Sequence, residues 1–294
     1  VRRYDSPAAF RAAVEARLRN RARRRGIAAY ILRRQTALER LIARLTKVAP
    51  GRWALKGGLA LEIRLGEYAR PSVDLHADHA HGASATRADL ERAVAEDLGD
   101  HFAFAIAGSE ELREGGVSLA VRYKIHCSLA RRPFEPLQVD VTVAPPDPWD
   151  AEPACRPGLL AEFHLGPVEV LVVPLERQLA EKLHAYTRTY NGGTTRAKDL
   201  VDFVLVRQHL RLDAKRLKDA IRRTFDSRGT HPVPYRLPTP PPELAVPYRR
   251  EAEEVGIDAS LDEAHRLAAE WLDPVLACAV EGTWDPDRMQ WVER

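Results

Sequence analysis

The residues best placed to do chemistry lie in one stretch, WALKGGLALEIRLGEYARPSVDLHAD, from Trp53 to Asp78. A short apolar run leads into Lys56, Gly57 and Gly58, and the helical run LALEIRL follows. Two glycines let the backbone approach a ligand closely, and amides at a helix start favour phosphate oxygens. A tight turn is the plainer reading of the same pair. After GEYARP, the polar residues Ser72, Asp74, His76 and Asp78 alternate, which predicts a strand with all four on one face. Glycines before a helix and carboxylates on the next strand predict a site for a triphosphate and its metal ion.

A phosphoryl-transfer metal such as Mg²⁺ takes oxygen ligands, usually one or two carboxylates plus substrate phosphates. Asp140 is the candidate third carboxylate, in the strictly alternating segment LQVDVTV. An unpaired aspartate inside an apolar strand is costly; the alternative is a solvated edge strand. His76, His79 and His81 raise zinc as a further option, without a cysteine or a fixed helix to support it. No G-x-S-x-G segment is present, so hydrolase chemistry has no anchor.

The elements that must position these residues follow from the rest of the pattern. With 294 residues, 45% of them hydrophobic and 30% charged, the chain is long and apolar enough for two cored domains. No apolar run approaches the roughly 18 residues of a membrane span, and VRRYDSPAAFRAAVEARLRN has no secretory h-region. Three widely spaced cysteines, Cys127, Cys155 and Cys278, argue for a reducing compartment, so a cytoplasmic protein without a membrane partner is expected. Net charge is only +3, yet the first fifty residues carry a dense block of arginine that includes Arg23, Arg24, Arg25, Arg33, Arg34, Arg40 and Arg44. Such a block is either a solvated helix face or a footprint for a polyanion, nucleic acid first.

Helices are predicted from Pro7 to about Arg25, with Ser6 as N-cap and Gly26 as stop, and from about Ile27 to Leu45. HAHGASAT reads as loop and Ala88 to Leu98 as helix. Phe102 to Ala107 and Val117 to Ile125 read as strands around a GSEELREGG turn, and PPDPWDAEPACRP as a surface connector that cannot continue a sheet. From Pro174 the pattern is helical: LERQLAEKLHAYTRTY, a break at Asn191-Gly192-Gly193, TTRAKDLVDFVLVRQHL, and a helix capped by Asp213. A proline-rich linker, PVPYRLPTPPPEL, precedes two last helices and a short tail. The fold expected is α/β (α+β), with a mixed-sheet domain over 1–165 and a helical domain over 166–294.

The ordered set LKGG-x(11)-R-x-S-x-D-L, preceded by ALERLIARL and followed by EKLHAY and RAKDLVDF, resembles the AbiEii/AbiGii toxin family. That family belongs to the nucleotidyltransferases of the DNA polymerase β superfamily and includes the mycobacterial MenT toxins. The resemblance spans Ile27 to Leu210 and implies a nucleotidyltransferase domain followed by a helical one. It also implies nucleotide transfer from an NTP with release of pyrophosphate, Mg²⁺ as cofactor with Mn²⁺ as the alternative, and a cognate antitoxin. For the MenT-like branch the acceptor is the 3′ end of tRNA, which blocks translation.

Residue by residue, the resemblance implies that Lys56, Gly57 and Gly58 lie near the triphosphate and that Asp74 is the first metal-binding aspartate. His76 stands where the family has its second carboxylate, and Asp140 completes the metal set of Asp74, His76 and Asp140. Lys182 matches a phosphate-facing lysine; Asp199 and Asp202, three apart and so able to share one helix face, match the RxKDxxD segment with Arg196 and Lys198. Asp199 is the preferred general base, and Arg70 and Ser72 complete the approach to Asp74. The basic residues Arg23, Arg24, Arg25, Arg33 and Arg34 would hold the RNA backbone. The competing functions are transfer to a protein or small molecule, and a degenerate member that only binds RNA or its antitoxin.

Overall fold

Residues 4–114, 117–143, 150–188 and 196–293 are described by a computed structural model of the chain. In chain order the elements are α1 (Pro7–Arg25), α2 (Ala29–Val48), β1 (Trp53–Lys56), α3 (Gly57–Leu65), β2 (Leu75–His79), α4 (Gly82–Ala95), β3 (Phe102–Glu114), β4 (Val117–Leu129), β5 (Arg132–Thr142), β6 (Glu152–Arg156) and β7 (Val168–Val172). Then come α5 (Leu175–Thr187), α6 (Ala197–His209), β8 (Leu212–Asp213), α7 (Ala214–Arg228), α8 (Ala245–Glu253), α9 (Leu261–Leu276), β9 (Thr283–Asp285) and β10 (Gln290–Val292). They form two compact units: Val1–Ile63 with Pro71–Val173, and Arg64–Arg70 with Pro174–Arg294. β7, past the expected division at 165, pairs with β1 in the first unit. No helix among the described residues is long and apolar enough to cross a membrane.

The first unit is built on a mixed sheet ordered β3-β4-β5-β2-β1-β7-β6. β2 is parallel to β5 and antiparallel to β1, while β1 is parallel to β7. α1 begins as its sequence predicts: the Ala9 amide donates to Ser6 Oγ at 3.1 Å, Pro7 follows the cap, and Gly26 ends the helix at φ +67°. Its buried residues Phe10, Val14, Leu18 and Ala22 recur every four positions and form the ridge it contributes to the core. Each such large apolar side chain stabilises the fold by roughly 1.5–3 kcal/mol on burial.

α2 departs from a simple apolar stripe. Arg40 and Arg44, counted above in the basic block, are buried and serve the core, not a polyanion. Arg44 uses all five N–H donors, giving Nε to Glu96 O, Nη1 to Arg40 O and Asp100 Oδ2, and Nη2 to Asp100 Oδ1 and Phe102 O. Arg40 Nε adds a bond to Asp100 Oδ2 at 2.8 Å. Asp100 ties α2 to the start of β3 and fixes where that strand begins. Two guanidiniums on one buried carboxylate are the reason these charges tolerate burial.

Several expectations need correction. Ser72 and Asp74 lie in the irregular segment before β2, so only His76 and Asp78 alternate on the strand itself. α4 already begins at Gly82, within the HAHGASAT segment read as loop. Gly108–Glu114, read as turn, continue β3; Glu110, Glu111 and Arg113 stay exposed, with Lys124–Glu110 at 3.5 Å and Arg113–Glu111 at 2.7 Å. Gly115 and Gly116 lie outside the described residues, as do the 144–149 and Asn191-Gly192-Gly193 segments. The second half of the proline-rich connector forms β6, which among the described residues pairs with β7 alone, and an edge strand accommodates Pro153.

The second unit is helical. Asp213 caps α7 by accepting from the Arg216 amide at 2.9 Å, and Ser260 caps α9 by accepting from the Glu263 amide at 3.2 Å. The tail, read as irregular, folds into β9 and β10 and completes a small sheet with β8. Trp284, on β9, packs its ring 6.2 Å from that of Trp271.

Burial alone would raise the Asp100 carboxyl, but Arg44 and Arg40 overcome it and hold the group below its ordinary value. A depressed carboxylate contributes stability that is present above its unfolded value, about 3.9, and is lost as pH falls through the lower folded value. Asp100→Asn should therefore lower unfolding stability by about 3–5 kcal/mol at neutral pH. It should also shrink the mutant–wild-type difference in urea midpoint as pH drops below about 4.

Candidate active site

The register of four strands in the first unit sets the candidate site. Lys56 on β1 pairs with His76 on β2, His76 with Asp140 on β5, and Asp140 with Arg122 on β4. Paired residues share a face, so these four side chains form one transverse row across the sheet. Thr142 lies two residues beyond Asp140 on the same face, as does Asp78 two beyond His76. The row combines residues 84 positions apart, from Lys56 to Asp140.

The charges in the row are largely matched. Asp78 is fully buried and its Oδ1 meets Lys56 Nζ at 3.0 Å; the same ammonium donates to Thr142 Oγ1 at 2.8 Å. Asp140 accepts a fork from Arg122, Nε to Oδ1 at 2.9 Å and Nη2 to Oδ2 at 2.8 Å. The hydrogen bond to Asp140 pushes the Arg122 guanidinium up, and the nearby Glu110 and Asp74 carboxylates add to this. Asp74 therefore lies within electrostatic reach of Arg122, and no ion pair ties it down among the described residues.

Gly57 opens α3 at φ +66°, a left-handed conformation that favours glycine, and a Cβ there would stand 3.5 Å from the Cβ of His76. The glycine motif thus has a backbone reason as well as the phosphate reason inferred from sequence. Gly58 follows within the first turn of α3.

Glu62 was not singled out from the sequence. Its Oε2 accepts from the Ser72 amide at 3.2 Å, and Gln35 Nε2 lies 3.0 Å from both carboxylate oxygens. Arg156, reaching from β6, approaches Oε1 at 3.5 Å. The Ser72 hydroxyl then donates to Asp74 O at 3.3 Å. Glu62 therefore anchors the segment that carries Asp74. Burial pushes its carboxyl up, opposed by Arg156, the Ser72 amide and Gln35. Within LALEIRL a glutamate reads as the solvent-facing residue of a short helix, and only the return of residues 71–74 past α3 gives it this task.

His79 and His81 do not join His76. His79 points to the opposite face of β2, buried against Trp53, with Nε2 3.1 Å from Asp89 Oδ2 and Nδ1 accepting from the His81 amide at 3.3 Å. Both ring nitrogens are occupied, which removes the zinc option. No group of three His, Cys, Asp or Glu among the described residues is close enough to hold a metal ion. Oxygen donors suited to a hard cation remain at Asp74, to which substrate phosphates would add theirs. Asp140 is engaged by Arg122 and its neighbour is an imidazole, so the donor set fits one such ion and not two.

The second unit holds a separate charge cluster. Lys182 Nζ on α5 meets Asp202 Oδ2 at 2.7 Å and Asp199 Oδ1 at 3.1 Å, both on α6. Arg70 forks onto Asp202 at 3.1 and 3.3 Å, and Arg196 Nη1 reaches Asp199 Oδ2 at 3.6 Å. Burial works to lower the Lys182 ammonium, yet Asp202 and Asp199 overcome it and hold it above its ordinary value. Burial likewise works to raise Asp202, and Lys182 and Arg70 hold it down. Lys198 sits apart, mostly exposed and 3.8 Å from Glu251.

Of the basic residues assigned to RNA, Arg23, Arg24 and Arg25 are exposed at the end of α1. Arg33 instead pairs with Glu135 at 2.5 Å, and Arg34 approaches the same carboxylate at 4.0 Å while lying 5.8 Å from the ring of Tyr30.

The glycine start of α3, the aspartate ahead of β2 and the lysine–aspartate helix pair occur in a nucleotidyl transferase. The chain belongs to the AbiEii family, described as the nucleotidyl transferase AbiEii toxin of type IV toxin–antitoxin systems, whose model matches residues 40–274. No curated protein matches the chain. A crystal structure from H. pylori, itself only provisionally assigned as a nucleotidyltransferase, is similar at 14% identity and a TM-score of 0.49, covering 90% of this chain and 99% of that one.

The geometry gives two expected outcomes. Glu62→Ala should speed hydrogen exchange in the 71–74 segment by about tenfold or more, the worth of a hydrogen bond to a charged group. Glu62→Gln, which keeps an acceptor, should change it little; equal acceleration in both would refute the anchoring role. Lys182→Met should cost about 3 kcal/mol in urea unfolding by leaving two buried carboxylates undercompensated. Adding Asp202→Asn should restore part of the loss.

Proposed function

We propose that the chain is the toxin of a toxin–antitoxin pair that transfers nucleotides from an NTP to the 3′ end of tRNA and so blocks translation in the cytoplasm. Family membership supports nucleotide transfer and the toxin role. The observation that carries the assignment of the site is Asp74. It is a carboxylate with no ion pair among the described residues, on a segment anchored by Glu62 and in electrostatic reach of Arg122.

In this reading the amides of Gly57 and Gly58 donate to triphosphate oxygens. The acceptor hydroxyl attacks the α-phosphorus, pyrophosphate leaves, and Asp199 takes the hydroxyl proton. Lys182, kept charged by Asp199 and Asp202, is assigned to offset charge developing on the phosphates. Mg²⁺, or Mn²⁺ in its place, would be held by Asp74 and the nucleotide. Such an ion, when bound, neutralises phosphate charge and polarises the phosphorus–oxygen bonds. The exposed Arg23, Arg24 and Arg25 are assigned to the RNA backbone, a contact that weakens as salt rises. The cognate antitoxin is the expected protein partner.

His76 favours one second reading, a member that binds RNA or its antitoxin without turnover. Both readings meet in one experiment: incubate the protein with each α-labelled NTP and a cell extract, then digest with RNase. Label should enter RNA, and Asp74→Ala should abolish it. Label that survives RNase would move the acceptor to a protein or small molecule. Undiminished transfer by Asp74→Ala would refute the mechanism, and no transfer by the wild type, with RNA binding retained, would favour the second reading.

A further inference from the structure

We infer that the Arg122 guanidinium stands in for a second metal ion on this sheet face, so that the chain holds one divalent cation, at Asp74. The inference rests on the reading of Asp74 above and deepens it. Four carboxylates of the described residues lie on or just ahead of this face: Asp74, Asp78, Asp140 and Glu110, the last exposed on β3 opposite Arg122 with Lys124 at 3.5 Å. Asp78 is fully buried and has Lys56 at 3.0 Å. Asp140 has both oxygens in the Arg122 fork at 2.9 and 2.8 Å. The Gln138 amide, oriented with its oxygen toward Arg122, accepts from the same two nitrogens at 3.1 Å and further holds the guanidinium in place.

A second ion against Asp140 would face three obstacles. It would have to break a two-point charged fork. It would sit beside a guanidinium that stays charged at any working pH. Its next neighbour across the register would be His76, an imidazole where a hard cation needs oxygen. Arg122 can instead do what a second ion would do. Its side chain is 29% exposed, its charge is permanent, and its planar donors match phosphate oxygens.

The count of bound Mn²⁺ tests this without turnover, by electron paramagnetic resonance on the full chain. Mn²⁺ is titrated alone and with each of the four α,β-methylene nucleoside triphosphates, after subtraction of ion bound to free analogue. The wild type should hold one Mn²⁺ per chain, and Asp74→Asn should lose it. Arg122→Gln should gain a second Mn²⁺, bound about tenfold or more tightly than any second ion in the wild type, the scale of removing one neighbouring like charge. Arg122→Lys, which keeps the charge, should stay at one. Asp140→Asn should also stay at one, so the inference remains testable if Arg122→Gln does not fold.

Two equivalent ions in the wild type, an unchanged count in folded Arg122→Gln, or loss of the ion in Asp140→Asn would each overturn the inference. If the wild type binds no Mn²⁺ with or without analogue, the metal-binding reading of Asp74 fails as well, a result distinct from a count of two.

Discussion

Every part of the candidate site in the first unit depends on the register of β2 between β1 and β5. With His76 opposite both Lys56 and Asp140, the polar side chains of three strands fall on one face. Leu75 and Ala77 then fall on the other, where they are fully buried in the core. A slip of one residue would exchange the two sets, putting Asp78 among core side chains and Ala77 beside Lys56. The buried Asp78–Lys56 pair helps to forbid that slip, because the aspartate has its cation only in this register. Fold and site are therefore specified by the same pairing.

Charge inside this protein is tolerated by pairing, and the pairs do different work. Asp100 with Arg40 and Arg44 is structural: it joins α2 to the start of β3, and the Asp100 and Arg44 side chains are fully buried. Glu62 with Gln35 and Arg156 is intermediate, since it fixes a segment that ends in Asp74. Asp140 with Arg122 lies at the rim of the polar row, where the arginine remains partly exposed. In the second unit, Lys182 is shared by Asp199 and Asp202 while Arg70 takes the other side of Asp202. A buried lysine held in this way retains its positive charge at neutral pH.

Local signals in the sequence were most legible where the chemistry is local. Ser6, Pro7 and Gly26 bound α1 as their capping preferences require, and Asp213 and Ser260 do the same for later helices. The alternation of LQVDVTV correctly marked a strand with Asp140 on its polar side. Legibility failed where a partner distant in sequence decides the outcome. Gly108–Glu114 carry turn-like composition but extend β3, because β4 supplies a full ladder for them. Pro153 fits in β6 because, among the described residues, one side of that strand is paired. Arg40 and Arg44 look like surface cations until Asp100, more than fifty positions on, is seen to lie between them and β3.

The sequence by itself determined the family, the order of helices and strands, and the residues Lys56, Gly57, Gly58, Asp74, Lys182, Asp199 and Asp202 as the ones to inspect. It could do so because motif spacing, capping and alternation are short-range properties. Only the tertiary structure decided which carboxylates are already neutralised and which is not. Asp78, Asp140 and Asp202 form ion pairs with cations from other elements, whereas Asp74 forms none among the described residues. The reason is that an ionic partner is chosen by distance in space, and strand register and helix packing bring together charges that no local pattern relates.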